Sequence, residues 1–231
     1  MRKSMGQWLM IRGNTGVLPM LAAAALLVAS GGTSLAHPHV FAEARLDVTV
    51  NNDGNVQALR HLWRFDDLFS STVLVEFDAN QDLKLDADEL AQVADTVFQS
   101  LAEFDYFQIV TANGRDVAMS APERMIADFT DNQLIILFES QPKEPLPLKG
   151  KLNFGVYDPT FYTAIDFIED EYMGVENMPS DCERQVVRPD ADEAIAQNQE
   201  TLTEAFFNDP TGNDLSKIFA TKLQISCTAN G

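Results

Sequence analysis

The stretch Val40-Phe41-Ala42-Glu43-Ala44-Arg45-Leu46-Asp47-Val48-Thr49-Val50, then Asn51-Asn52-Asp53-Gly54-Asn55, then Val56-Gln57-Ala58-Leu59-Arg60-His61-Leu62-Trp63-Arg64-Phe65, decides the fold. In the first run Val40, Ala42, Ala44, Leu46, Val48 and Val50 fall at every second residue, the period of a half-buried strand. The Asn/Asp/Gly cluster turns the chain, and the second run returns as a second strand, so 40–65 predicts a β-hairpin. A hairpin cannot bury its apolar face alone. The rest of the chain must cover it.

Downstream, Asp66 or Asp67 can cap a helix carrying Leu68, Phe69, Thr72, Val73 and Phe77. After an acidic loop, Leu90, Val93, Ala94, Val97, Phe98 and Leu101 recur at spacings of three and four, which predicts a stronger amphipathic helix. Strand-like runs follow at Tyr106 to Val110, Met125 to Phe129, Leu134 to Phe138, Leu152 to Tyr157 and Ala164 to Ile168, separated by Gly, Pro and Asn. From Asp190 to Phe207 the residues Ala191, Ala194, Ile195, Leu202 and Phe206 fall near one helical face. The expected class is α+β: an antiparallel sheet or sandwich with an inserted EF-hand-like helix-loop-helix over 66–104 and a C-terminal helix. The main domain is expected over 37–180, with a helical tail over 181–231.

Cys182 and Cys227 are the only cysteines. An oxidising compartment favours their pairing. Closing a loop of about 45 residues would add roughly 4 kcal/mol in the chain-entropy model, clamping the tail to the body.

Upstream, Arg2, Lys3 and Arg12 precede an apolar run from Val17 to Ala29, and Ser34-Leu35-Ala36 gives a small-x-small cleavage pattern. Residues 1–36 therefore read as a cleaved signal peptide, placing a protein that begins at His37 in the periplasm. The apolar run is well short of the roughly 20 residues that span a bilayer, so no stable membrane insertion is expected after cleavage. The whole chain carries a net charge of −19, and residues 1–36 hold three Lys/Arg and no Asp/Glu, so cleavage takes it to −22. Such a surface repels nucleic acid and anionic lipid and draws cations to carboxylate clusters. Nucleic acid is excluded as a partner.

The most specific motif is Asp78-Ala79-Asn80-Gln81-Asp82-Leu83-Lys84-Leu85-Asp86-Ala87-Asp88-Glu89. It fits the EF-hand calcium loop at positions 1, 3, 5 and 12, with Asp86 at position 9 and an apolar residue at position 8. Asp78, Asn80, Asp82 and Asp86 would offer side-chain oxygens, Lys84 its carbonyl and Glu89 a bidentate carboxylate to Ca²⁺. Position 6 is Leu83, where a positive φ favours Gly. The strain of about 1 to 2 kcal/mol lowers the expected affinity without abolishing it. The alternative is a solvated acidic loop that caps the next helix. A single loop without a paired partner fits structural bracing better than cooperative sensing.

Cleavage before His37 would expose an α-amine beside its imidazole, with Pro38 and His39 next, a set suited to nickel, copper, zinc or cobalt. Pro38 has no amide N–H, so a chelate through successive backbone nitrogens is blocked. The hairpin register brings this start near Asp66 and Asp67, making a site of His37, His39 and one of those carboxylates feasible. The alternative is an ordinary chain terminus. His61 pairs near residue 45, roughly 20 Å from His39 at strand rise, and alternates with Leu59, Trp63 and Phe65; it reads as a core histidine. No phosphate loop, nucleophile elbow or HExxH is present, and no enzyme is expected.

Five stretches, His37-Pro38-His39-Val40-Phe41, Trp63-Arg64-Phe65-Asp66, the acidic loop with Glu89-Leu90, Leu101-Ala102-Glu103-Phe104-Asp105-Tyr106-Phe107 and Val156-Tyr157-Asp158-Pro159-Thr160-Phe161-Tyr162, together resemble an uncharacterised family of exported bacterial proteins. That family is catalogued as a domain of unknown function and as a periplasmic component of ABC-type transport, often encoded beside nickel, cobalt or zinc transporters. Leu83 departs from the glycine common in its acidic loop. The resemblance implies a non-enzymatic metal-handling accessory that serves a membrane metal transporter, with His37, His39, Asp66 and Asp158 as transition-metal ligands. A calcium-braced interaction module without a transition metal is the first rival; a copper enzyme using the terminal histidine is the second.

Overall fold

The protein was analysed as a computed structural model, which describes residues 38–197, 199 and 216–228. Strands β1 (Val40–Val50) and β2 (Asn55–Phe65) pair antiparallel from Ala42↔Phe65 to Thr49↔Ala58, the hairpin that the alternation predicts. Its turn is built by side-chain chemistry: the Asn51 Oδ1 accepts from the amides of Asp53 and Asn55, and Gly54 takes φ +75°.

Helices α1 (Asp67–Phe77) and α2 (Ala87–Leu101) follow. A short 3-10 segment, Ala102–Phe107, leads into β3 (Gln108–Ala112), β4 (Arg115–Asp116), β5 (Met125–Thr130), β6 (Gln133–Ser140), β7 (Leu146–Pro147) and β8 (Gly150–Val156). Then come β9 (Thr163–Asp166), β10 (Met173–Glu176), β11 (Cys182–Val187), helix α3 (Ala191–Gln197) and β12 (Lys222–Cys227). Among the described residues these strands form two sheets. One runs β10-β1-β2-β6-β5, with β7 on β2 and β9 on β1; the other runs β11-β12-β8-β3-β4. The α+β class is as expected.

The first sheet is mixed rather than antiparallel. Strands β9 and β10 both lie parallel to β1, β9 along Val40–Glu43 and β10 along Leu46–Thr49. One 11-residue strand thus has its outer edge satisfied by two short strands end to end, which removes an exposed row of backbone donors and acceptors. Strand direction depends on how a distant segment returns, so local periodicity did not reveal it.

The tail also differs from the expected helix. Cys182–Val187 and Lys222–Cys227 are strands, and β12 sits inside the second sheet between β11 and β8. Leu223, Ile225 and Cys227 point to the core while Lys222, Gln224 and Ser226 alternate with them, so strand patterning governs. Helix α3 is described over Ala191–Gln197, and most of the helical span expected to Phe207 lies outside the described residues. Cys182 and Cys227 are disulfide-bonded as expected, and they are directly paired across β11 and β12. The bond joins two neighbouring strands of one sheet rather than clamping a detached tail.

Leu46, Val48, Trp63, Leu134 and Ile136 of the first sheet share a continuous buried core with Leu152, Phe154, Leu223 and Ile225 of the second. The helix pair bridges the sheets in sequence and packs on β5 and β6. Its anchor is Ser70, fully buried on α1, whose hydroxyl accepts from the Leu134 amide at 2.9 Å and approaches the Phe65 carbonyl at 3.4 Å. Ser70→Ala should lower unfolding free energy by about 1–3 kcal/mol, because the Leu134 N–H would be left buried and unpaired; urea denaturation of both proteins checks this, and equal midpoints would refute the anchoring role.

Candidate functional site

The acidic loop begins where α1 ends. Asp78 is the C-terminal cap residue of α1, and its two oxygens accept from the Asp82 amide (3.1 Å) and the Leu83 amide (2.8 Å). Asn80 Oδ1 also accepts from Asp82 N, and Asp82 Oδ1 accepts from Lys84 N. These short-range bonds wind the loop tightly. At its far end Asp86 caps α2 by accepting from the amides of Asp88 and Glu89, and Glu89 completes a capping box. Glu89 reaches across: its Oε1 accepts from Ala79 N at 2.8 Å and its Oε2 from Asp86 N at 2.9 Å, tying the loop's two ends together.

Two features mark this loop. Gln81 and Leu83 both hold φ +62°, a left-handed conformation that costs non-glycine residues about 1–2 kcal/mol each. Asp78 and Glu89 are 9% and 4% exposed, and among the described residues no Lys, Arg or His forms an ion pair with either. Each carboxylate is instead satisfied by two backbone N–H groups. As the side chains stand, no three His, Cys, Asp or Glu groups among the described residues converge closely enough to hold a metal ion. The loop carboxylates are turned onto backbone N–H groups. The expected ligand set draws part of its oxygen from the Asn80 amide and the Lys84 carbonyl.

The second expected site centres on the start of β1. Asp66 caps α1 through Phe69 N (2.9 Å) and ties it to β1, its Oδ2 accepting from Phe41 N (2.8 Å). His39 donates its amide to the Tyr162 carbonyl, and its ring lies 5.1 Å from the Tyr162 ring. Asp158, 5% exposed, accepts from Thr160 N, Thr160 Oγ1 and Thr163 N, so it shapes the loop whose next residues pair with β1. His39, Asp66 and Asp158 are thus each tied to the N-terminal end of β1 or to its β9 partner. Their carboxylates serve as turn and helix caps. His37 lies outside the described residues.

His61 is not part of that end. It pairs with Leu46, roughly 23 Å along β1 from His39. It lies between the sheets, 2% exposed, stacked on Phe138 at 4.4 Å, with neither ring nitrogen hydrogen-bonded among the described residues. The neighbouring Trp63 indole N–H is likewise unpartnered. Burial pushes the imidazole from its ordinary 6.5 down to about 3, and the nearby Gln108 amide opposes this only weakly. Gln108 is engaged elsewhere, accepting from the Ser140 hydroxyl and donating to the Asp105 carbonyl. The Ser70 anchor was not legible as special, because its partner Leu134 is remote in sequence, and the unpaired Trp63 N–H depends on packing that spacing does not reveal.

A two-sheet α+β domain with two helices joined by an acidic loop is the class that the fold defines. The chain belongs to the family DUF1007, described as a protein of unknown function, whose model matches residues 21–227. No curated protein matches it. Among the described residues no helix is long and apolar enough to cross a membrane.

The neutral His61 has a consequence for stability. The folded protein holds it unprotonated while the unfolded chain takes up a proton near pH 6.5, so its contribution is complete above that value and falls as pH drops toward 3. Stability should decline by up to about 1.4 kcal/mol per pH unit across this window, and His61→Phe should flatten that part of the profile. Urea titrations at pH 6.5 and 4 read the difference; matching slopes in both proteins would dismiss the effect.

Proposed function

We propose that this chain is an exported, periplasmic, non-enzymatic binding module whose helix-loop-helix is braced by one Ca²⁺. The observation that carries the reading is the +62° φ at Leu83, together with the same angle at Gln81. The backbone takes the left-handed turn that an EF-hand loop requires at position 6 even though the residue there is leucine. The buried, unpaired Asp78 and Glu89 support the same reading, since a dication offsets two carboxylates at once. When bound, Ca²⁺ would supply charge neutralisation and a fixed spacing between loop ends. Asp78, Asn80, Asp82, Asp86 and Glu89 would turn side-chain oxygens inward, with the Lys84 carbonyl completing the set. The disulfide fits an oxidising compartment.

Asp78→Ala combined with Glu89→Ala should remove a calcium-dependent rise in melting temperature. Wild type should gain several degrees in millimolar Ca²⁺ over EDTA, and the double variant none. If wild type melts identically in the two buffers, the loop is not a calcium site.

The second reading is the metal-handling accessory of a transition-metal transporter. It draws support from His39, Asp66 and Asp158 being organised around the same end of β1. His37, His39, Asp66 and Asp158 are its ligands, for a divalent ion such as nickel, cobalt, zinc or copper, and a membrane metal transporter is its partner. Calorimetric titration of those four ions into wild type and His39→Ala should show a site weakened at least tenfold in the variant. Superimposable isotherms would leave only the calcium-braced module.

A further inference from the structure

A cavity of about 420 Å³ lies between the helix pair and the first sheet, within the size range of small-molecule sites. Seven aromatic residues contribute to its wall: Trp63, Phe65, Phe69, Phe77, Phe104, Phe107 and Tyr162. The charged groups lining it are Glu76 and Asp158, both acidic, and no Lys, Arg or His is among its lining residues. Three separate stretches meet there: the end of β2, the 3-10 segment before β3, and the loop from Asp158 to Thr163.

Two costs are retained in its walls. Trp63 is 2% exposed and its indole N–H has no partner among the described residues, a loss of about 1–3 kcal/mol. Asp105, Tyr106 and Phe107 hold three consecutive left-handed conformations, φ 49°, 55° and 60°, and this turn places Phe107 in the wall. Strain of this kind concentrates at ligand clamps.

We infer that this cavity binds a hydrophobic organic cation, an aromatic or alkyl body bearing an ammonium group. The π-faces of clustered aromatic rings attract such a cation, and desolvation in the cavity strengthens the attraction. Glu76, exposed on the last turn of α1, offers it a countercharge, and Asp158, also in the lining, adds negative charge. The net charge of −19 raises the local concentration of cations and disfavours an anionic ligand of the same shape. This inference goes beyond the calcium reading and does not depend on it, since none of the cavity residues named is an expected loop ligand.

The test uses the full chain carrying Trp8→Phe, which leaves Trp63 as its single tryptophan. Three probes of one shape are titrated in calcium-containing buffer: 4-phenylbutylamine, 4-phenylbutanol and 4-phenylbutyrate. The amine should shift Trp63 emission and bind about tenfold tighter than the carboxylate, with the alcohol between them. Glu76→Gln, a surface change that leaves the loop intact, should weaken the amine several-fold and leave the alcohol unchanged. Val97→Trp, which fills the cavity, should abolish all three in calorimetry. The inference is overturned if no probe binds, if the carboxylate equals or exceeds the amine, or if Glu76→Gln affects amine and alcohol alike.

Discussion

The backbone of β1 has hydrogen-bonding groups along both edges, and satisfying them organises the rest of the molecule. Its inner edge takes β2 through a local turn. Its outer edge waits for chain more than 110 residues further on, where β9 and β10 arrive in parallel. Because Val40, Ala42, Ala44, Leu46 and Val48 alternate without interruption, a one-residue slip would turn all of them to solvent. Register is therefore set by burial. Those strands then need only short matching segments.

That constraint also explains where the loop and the β1 end can act. Asp66 terminates β2, starts α1 and holds the Phe41 amide, so one carboxylate couples the hairpin's end to the helix pair. Ser70 repeats the coupling one turn later against β6. Between them the entry of α1 is fixed from two directions. The far end of α1 and the start of α2 are joined by Asp78 and Glu89, whose acceptors hold loop amides rather than strand amides. The helix pair is thus rigid at its sheet end, and at its loop end it relies on acidic groups without cationic partners.

The parts legible in sequence were those whose cause lies within about a dozen residues. The hairpin, both helices, the Asp66 cap and the loop motif all follow from spacing or from side chains that bond nearby backbone. The parallel placement of β9 and β10 was not legible, because four-residue segments carry too little pattern to name a partner. In the tail, Leu223, Ile225 and Cys227 do carry a period-two signal, yet the helical spacing from Ala191 onward dominates any reading of that region. The candidate metal ligands illustrate the same division. Asp158 entered as a ligand through the family resemblance alone, and only the fold reveals that Thr160 and Thr163 donate to it in a turn.

Leu83 is the residue on which the calcium reading turns, and its tolerance has a physical reason. A left-handed leucine is penalised by contact between its Cβ and its own backbone, a cost that does not grow when the side chain points away from the protein. Leu83 is 74% exposed, so the strain stays local and no core packing is disturbed. Its amide, meanwhile, is turned inward to Asp78, the bond that glycine would make more cheaply at this position. The loop therefore holds its left-handed turn through hydrogen bonds to Asp78 at a local backbone cost. The same bonds give Asp78 and Glu89 two backbone N–H donors each, which is why neither carboxylate turns outward.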